Sequence, residues 1–111
     1  MEKWVLVVKA NCADQSFEGH DEFNEWYDKI HVPDIMTIPG FKKAARYINP
    51  DISATDTGKY LAIYHIETEN ISDITTEMAN NFYKWKNEGR MSNLLSVVSM
   101  AFYRQMDTWS E

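Results

Sequence analysis

The chain has 111 residues, of which 44% are hydrophobic, so it is long enough for one domain with one core and too short for two. Its formal net charge of -6 at pH 7 argues against nucleic acid or an anionic membrane surface as its main partner. The single cysteine excludes an intrachain disulfide and fits a reducing cytoplasm, and no apolar run approaches the about 20 residues that a membrane span needs.

The first predicted element is a strand over residues 4–9, which are rich in valine and are followed by Asn11. The same apolar run is too short for the core of a signal peptide, and no small-residue cleavage site follows it. Residues 11–20 are polar and lead into a helix, for which Asp21 or Gly19 is the predicted N-cap. His20 lies in this polar approach, so we predict a solvated loop residue.

An aromatic face marks the first helix. Its members follow one another at steps of three or four residues: Phe23, Trp26, Tyr27, Ile30, His31 and Asp34. Val32 precedes Pro33 and is biased away from the α region, so we expect the helix to break there, and Pro33 can open a second short turn. His31 would then lie beside freed carbonyl groups at the negative end of the helix, which favours a protonated imidazole.

Two strands are predicted in the middle of the chain. The dipeptide Pro39-Gly40 indicates a turn, and residues 41–48 follow it as the second strand. Strict alternation places two sets of side chains on opposite faces of this strand: Phe41, Lys43, Ala45 and Tyr47 on one, and Lys42, Ala44, Arg46 and Ile48 on the other. A polar loop covers residues 49–58, and residues 60–66 form the third strand.

The second helix begins near Asn70, a favourable N-cap, and ends before Gly89. One apolar face runs along it, formed by Ile71, Ile74, Met78, Phe82 and Trp85. Residues 97–105 are predicted to form the fourth strand.

This order of elements is βαββαβ, the ferredoxin-like pattern of an α+β domain, in which two helices cover one face of a four-stranded antiparallel sheet. Many of the predicted strands are apolar on both faces. We therefore expect the other face of the sheet to be covered by a second copy of the chain, in an isologous homodimer.

The segment Trp26-Tyr27, His31-Val32-Pro33-Asp34, followed by Pro39-Gly40-Phe41 and Arg46-Tyr47, resembles the EthD-like branch of the dimeric α/β-barrel superfamily. The resemblance covers residues 23–47 in sequence, and the rest of the chain only in the order of its elements. It implies a dimeric α/β barrel with a pocket between the sheet and the helices of each subunit.

Relatives within this superfamily include polyketide cyclases and decarboxylases, muconolactone-type isomerases, cofactor-free monooxygenases and haem-handling enzymes. The fold does not choose among these activities. The histidine that the family carries at the end of its first helix corresponds to His31. The pairs Trp26-Tyr27 and Arg46-Tyr47 match the family pattern as well, without an assigned chemical role.

His31 is the principal candidate for acid–base chemistry, because an imidazole exchanges protons near neutral pH. Asp34 lies three residues further on and would share a face with His31 if the turn continues, where it could orient the ring. The alternative is a histidine that only caps the end of the helix. His65 lies in the middle of a strand, where it could line the binding site or make a structural hydrogen bond.

Tyrosine hydroxyls can donate a proton to a carbonyl or enolate oxygen while the ring stacks on a flat substrate. We expect Tyr64 or Tyr47 to stabilise a developing oxyanion, with Tyr27 and Tyr103 contacting the substrate. The alternative for each is half-buried packing with the hydroxyl at the rim.

Trp26 and Trp85 are interpreted as core or pocket wall. Arg46 could bind a substrate carboxylate with two parallel hydrogen bonds, although surface ion pairing is the simpler explanation. The three histidines lack the close spacing of metal motifs, and the sequence has no Gly-rich phosphate loop and no Gly-x-Ser-x-Gly elbow. The sequence therefore predicts no metal and no cofactor.

The first hypothesis is a cofactor-independent lyase, isomerase or cyclase that performs acid–base chemistry on a small aromatic, polyketide-like or lactone-like compound. Isomerisation, cyclisation, decarboxylation and C–C lysis can all begin with the same proton transfer next to a carbonyl. Two alternatives remain: a non-catalytic dimeric module that binds a small aromatic ligand, or a relative of haem-binding or cofactor-free monooxygenase proteins with His31 or His65 as an axial ligand.

Overall fold

A computed structural model describes residues 1–51 and 57–111 of the chain. Its helices and strands, in chain order, are β1 (Glu2–Cys12), α1 (Phe17–Trp26), a π-helical turn (Tyr27–His31), α2 (Val32–Ile35), β2 (Phe41–Ile48), β3 (Tyr60–Thr68), α3 (Ile71–Asn87) and β4 (Leu95–Arg104). The strands form one sheet in the order β2-β3-β1-β4 with antiparallel neighbours. The predicted ferredoxin-like βαββαβ fold is therefore confirmed. Residues 52–56 of the predicted loop lie outside the described residues.

The core lies between the helices and one face of the sheet. Every second residue of β1 and β3 belongs to this core. Leu6 and Val8 of β1 pair with Tyr64 and Ala62 of β3, respectively, and all four are buried. The intervening side chains of these strands point to the opposite face, which none of the described helices covers. The described residues form a body of 42 × 40 × 22 Å, the thickness of one sheet and one helical layer.

The first helix begins earlier than the sequence indicates. Ser16 is its N-cap, and the Ser16 hydroxyl accepts a hydrogen bond of 3.0 Å from the backbone N–H of Gly19. The prediction of Asp21 or Gly19 as the cap was wrong, because the first turn has little apolar side chain to reveal it: Gly19 is buried there, while Phe17 is exposed. His20 consequently lies within α1 and not in a loop.

The helix also continues where a break was predicted. Val32 adopts ordinary helical angles, with φ -62° and ψ -47°, although Pro33 follows it. The backbone N–H of Val32 bonds the carbonyl of Tyr27, five residues back, so the π-helical turn widens the helix just before the proline. A wider turn relieves the clash of the proline ring with the preceding turn, and the chain runs helically from Phe17 to Ile35.

A bulge in β2 changes which side chains share a face. Phe41 pairs with the buried Ile66, whereas Lys43 pairs with the exposed His65, so Lys42 is an extra residue in the ladder. Phe41 thus faces the helices together with Ala44 and Arg46, not with Lys43 as strict alternation predicted.

The second long helix and the Pro-Gly turn follow the predictions. The Asn70 side chain accepts a hydrogen bond from the backbone N–H of Ser72, and Gly89 ends the helix with a positive φ of 73°. Gly40 has φ 100°, and a Cβ there would lie 3.1 Å from the carbonyl oxygen of Glu67, so the turn requires glycine. None of the described helices is both long and apolar enough to cross a membrane.

Candidate functional site

His31 lies in the π-helical turn and points into the core, where it is only 5% exposed. Trp26 stacks on its ring, with 4.6 Å between the ring centroids and 20° between the planes. Tyr27 meets the ring edge-on at 4.9 Å, and Phe82 of α3 lies 6.0 Å away. Among the described residues, no group makes a hydrogen bond with the imidazole. The ring is therefore held by aromatic packing alone.

This environment keeps His31 neutral. Burial lowers the pKa of His31 to about 4, while the Asp34 charge acts to raise it and the Arg46 charge to lower it further. The prediction of a protonated imidazole was wrong, because it depended on a helix end that does not form. A neutral imidazole can accept a proton or a hydrogen bond at neutral pH.

Asp34 does not orient the His31 ring. Its carboxylate accepts two hydrogen bonds from Arg90, 2.7 Å from Nε and 2.9 Å from Nη2, in a bidentate ion pair. The backbone carbonyl of Arg90 also accepts a hydrogen bond of 2.8 Å from Trp26 Nε1. Arg90 thus ties the segment after α3 to both sides of the π-helical turn, and Asp34 acts on His31 only through its charge.

Tyr64 supplies a second buried polar group without a partner. Its side chain is fully buried, and its hydroxyl makes no hydrogen bond to any described residue. The hydroxyl of Tyr27 is near enough to affect the ionisation of Tyr64, but it does not meet the geometry of a hydrogen bond. Burial raises the pKa of both hydroxyls, so each stays protonated and can act as a donor.

Arg46 lies on the other side of Tyr27. Its guanidinium carbon is 4.1 Å from the centre of the Tyr27 ring, in a cation–π contact. Nη1 donates to Asp28 Oδ1 at 2.8 Å, and Nη2 donates to Asn24 Oδ1 at 2.9 Å. The side chain is 17% exposed, so the charge lies at the edge of the core and not on the open surface.

Three residues that were not predicted as functional extend this polar group. His20 Nδ1 lies 2.7 Å from the Tyr60 hydroxyl, which also accepts a hydrogen bond of 3.3 Å from Asn24 Nδ2. His20 and Asn24 are four residues apart on α1 and so share a face. If Ser16 had been recognised as the helix cap, the sequence would have placed His20 and Asn24 on one face of α1. No sequence pattern indicates that Tyr60 lies next to these two residues.

The remaining predicted residues do not join these clusters. Tyr47, His65 and Tyr103 pair with Leu61, Val5 and Val5, respectively, and lie on the face of the sheet away from the helices. All three are exposed, Tyr47 by 53% and Tyr103 by 58%. Trp85 is buried in the core next to Phe82. The structure therefore brings His31, Tyr27, Trp26, Tyr64 and Arg46 together and separates Tyr47, His65 and Tyr103 from them.

The described residues offer little for a metal or haem. No three histidine, cysteine, aspartate or glutamate side chains among them come together as a metal site. Trp26 stacks on the His31 ring, with Tyr27 and Phe82 nearby, and His65 is on the opposite face of the sheet. The two histidines therefore do not share one site.

No protein-family model and no curated protein matches this chain. Solved structures match it along nearly its whole length. HapK from Hahella chejuensis is 13% identical with a TM-score of 0.65, and the match covers 97% of this chain and 97% of that chain. A candidate monooxygenase from Shewanella loihica PV-4 is 15% identical with a TM-score of 0.60, covering 97% of this chain and 99% of that chain.

An EthD family protein from Bacillus halodurans C-125 is 14% identical with a TM-score of 0.59, and the match covers 96% of this chain and 100% of that chain. At such low identity the likeness shows the fold alone. At that level it agrees with the predicted resemblance: the chain has a ferredoxin-like fold, which it shares with an EthD family protein.

Proposed function

We propose that the protein is a cofactor-independent enzyme that moves a proton next to a carbonyl group of a small aromatic, polyketide-like or lactone-like compound. One observation carries this proposal. The His31 imidazole and the Tyr64 hydroxyl are buried beside Tyr27, and neither has a hydrogen-bond partner among the described residues. Buried polar groups in proteins are nearly always hydrogen-bonded, so two groups without partners that both lie next to Tyr27 favour a site that a substrate completes.

In the proposed reaction, the neutral His31 takes a proton from the carbon next to the carbonyl. The electron pair of that C–H bond moves onto the carbonyl oxygen, and the protonated Tyr64 hydroxyl donates a hydrogen bond to the resulting oxyanion. The imidazolium then returns its proton to another atom of the substrate. Asp34 stabilises the imidazolium through space, because its charge acts to raise the pKa of His31.

The test is hydrogen–deuterium exchange at the acidic C–H of a panel of aryl ketones in D2O, followed by proton NMR. This readout detects the proton transfer whatever reaction follows it. We expect the wild type to accelerate exchange, and His31→Ala to lower the accelerated rate by about 100-fold or more. Tyr83→Phe, at an exposed position of α3, is the control and should keep the wild-type rate. Wild-type exchange in His31→Ala would contradict the proposal.

A non-catalytic binding module is the second candidate. It is favoured by five surface cavities of about 270 to 540 Å3 that the described residues form, each of which is lined by residues other than His31. A binder would return every ketone undeuterated while its resonances shift on addition of the protein. A cofactor-free monooxygenase would instead consume oxygen, so product that forms under air and not under argon would identify that chemistry.

We further propose that the uncovered sheet face binds a second copy of the chain. The radius of gyration is 14.7 Å, against about 13 Å expected for a compact chain of this length. The accessible surface is 7341 Å2, against about 6,300 Å2 expected for its mass. Both values describe a chain that buries less of its surface than a compact monomer does, and the uncovered sheet face contributes to the excess.

The composition of the same face supports this proposal. Val5, Val7, Leu61 and Ile63 are only half-buried there, although they occupy the two central strands. Light scattering on a sizing column should give a dimer for the wild type and a monomer for Ile63→Glu. Tyr83→Glu, which changes an exposed residue on α3, is the control and should leave the dimer intact. A monomeric wild type would contradict the proposal.

A further inference from the structure

A cavity opens where α1 meets the outer strand β2, and its lining combines buried and half-buried polar groups with exposed apolar ones. It has a volume of about 270 Å3 and is lined by Asn24, Arg46, Tyr47, Ile48 and Tyr60. We infer that this cavity is a binding site for a single-ring aromatic carboxylate, with Arg46 as the residue that holds the carboxylate group.

The polar floor of the cavity is a connected hydrogen-bond network. From His20 it passes to the Tyr60 hydroxyl, then to the Asn24 side chain, and finally to the Arg46 guanidinium. Tyr60 is only 5% exposed, and its ring packs on Phe23 at 5.2 Å. The network therefore holds Arg46 in one position, so little side-chain freedom is lost when a ligand binds.

Arg46 retains donors for a ligand. A guanidinium has more N–H groups than Asp28 and Asn24 use, and the remaining ones can form parallel hydrogen bonds to a planar carboxylate. The carboxylate of Asp28 is 61% exposed, on the solvent side of the guanidinium. The Asp28 carboxylate therefore competes with a bound anion for the Arg46 guanidinium. It can rotate into the solvent when the anion binds.

The walls and the volume define the rest of the ligand. Ile48 pairs with Tyr60 and therefore shares the helix-facing side of β2 with Arg46, where it is 54% exposed. An aromatic ring placed on this side would cover Ile48, and Tyr47 borders the cavity from the other side of the strand. A volume near 270 Å3 lies below the roughly 300 Å3 at which pockets for drug-sized molecules begin, so the cavity suits one ring with its acid group and not a fused polycyclic compound.

The experiment uses benzoate as the probe and benzamide as its uncharged isostere, with NMR titration of the full chain. We expect benzoate to shift the resonances of Arg46 and Tyr60 and to bind roughly tenfold more tightly than benzamide, because its hydrogen bonds to Arg46 are charge-assisted. Arg46→Gln should remove this preference. Arg104→Gln, which alters an exposed ion-paired arginine of β4, is the matched control and should keep it.

Asp28→Asn makes the experiment independent of whether Arg46→Gln folds. Removal of the competing carboxylate should tighten benzoate binding by several-fold and leave benzamide binding unchanged. Equal affinity for benzoate and benzamide in the wild type, or an Asp28→Asn variant that binds benzoate no better, would overturn the inference. Binding is measured without turnover, so the outcome does not depend on the chemistry proposed at His31.

Discussion

Burial of His31 should make the stability of the protein sensitive to mild acid. The folded chain holds the pKa of this imidazole at about 4, whereas the unperturbed value is 6.5. Between these two values the unfolded chain binds a proton that the folded chain does not. The free energy of unfolding therefore falls as the pH is lowered through 6.5 toward 4, and the full stability is present above that range.

The size of the effect follows from the two pKa values. Integration of the proton-binding difference gives a loss of about 2 kcal/mol between pH 7 and pH 5, and about 3 kcal/mol at pH 4. For a domain of this length, about 2 kcal/mol corresponds to a decrease in Tm of roughly 8 °C. Other carboxyl groups also titrate in this range, so the His31 contribution has to be isolated by comparison with a variant.

His31→Phe is the appropriate variant, because it keeps an aromatic ring in the cluster but cannot be protonated. Chemical denaturation of both proteins at pH 7 and pH 5, at one fixed protein concentration, gives the difference in their free energies of unfolding. A part of this difference that is the same at pH 7 and pH 5 reflects the change in packing alone. We expect the difference to change by about 2 kcal/mol in favour of the variant at pH 5. The same difference at both pH values would refute the assignment of a buried, neutral His31.

Two further predictions follow from local geometry. Tyr64→Phe removes a buried hydroxyl that has no hydrogen-bond partner among the described residues. The variant should unfold at the same denaturant concentration as the wild type or a higher one, with a gain in the free energy of unfolding of up to about 1–3 kcal/mol. A clear decrease in that free energy would mean that the hydroxyl is hydrogen-bonded in the folded protein. Gly40→Ala places a Cβ at a φ of 100° and 3.1 Å from the Glu67 carbonyl oxygen. We expect it to lower the free energy of unfolding by roughly 1–3 kcal/mol, which a lower Tm would show. Gly89→Ala is the control for close contact and should lower the Tm less, because nothing lies within 4 Å of a Cβ added there.

The parts of the fold that the sequence predicted are those with strong local patterns. The strands alternate apolar side chains, α3 has one apolar face with Asn70 as its cap, and Pro39-Gly40 requires a turn. The ferredoxin-like fold followed from the order of these elements, because βαββαβ chains have few ways to pack. The predictions that failed did so where a local exception changed the geometry: the π-helical turn before Pro33 and the bulge at Lys42.

The candidate site was less predictable, because its contacts join residues that are distant in sequence. Arg90 pairs with Asp34 across 56 positions, and His20 reaches Tyr60 across 40. No periodicity reports such pairs. The charge state of His31 likewise depends on three rings that surround it in the folded chain, whereas its sequence neighbours suggested the opposite.

The π-helical turn also solves a problem of helical phase. The buried positions of this helix are spaced by four throughout: Gly19, Phe23, Tyr27, His31 and Ile35. In a regular α-helix each step of four overshoots one turn by about 40°, so Ile35 would be rotated by about 160° from Gly19 and would face away from the core. The extra residue in the π-helical turn reduces that rotation by about 100°. One wide turn therefore keeps a single stripe of side chains aimed at the sheet, and it is the reason that His31 points inward at all.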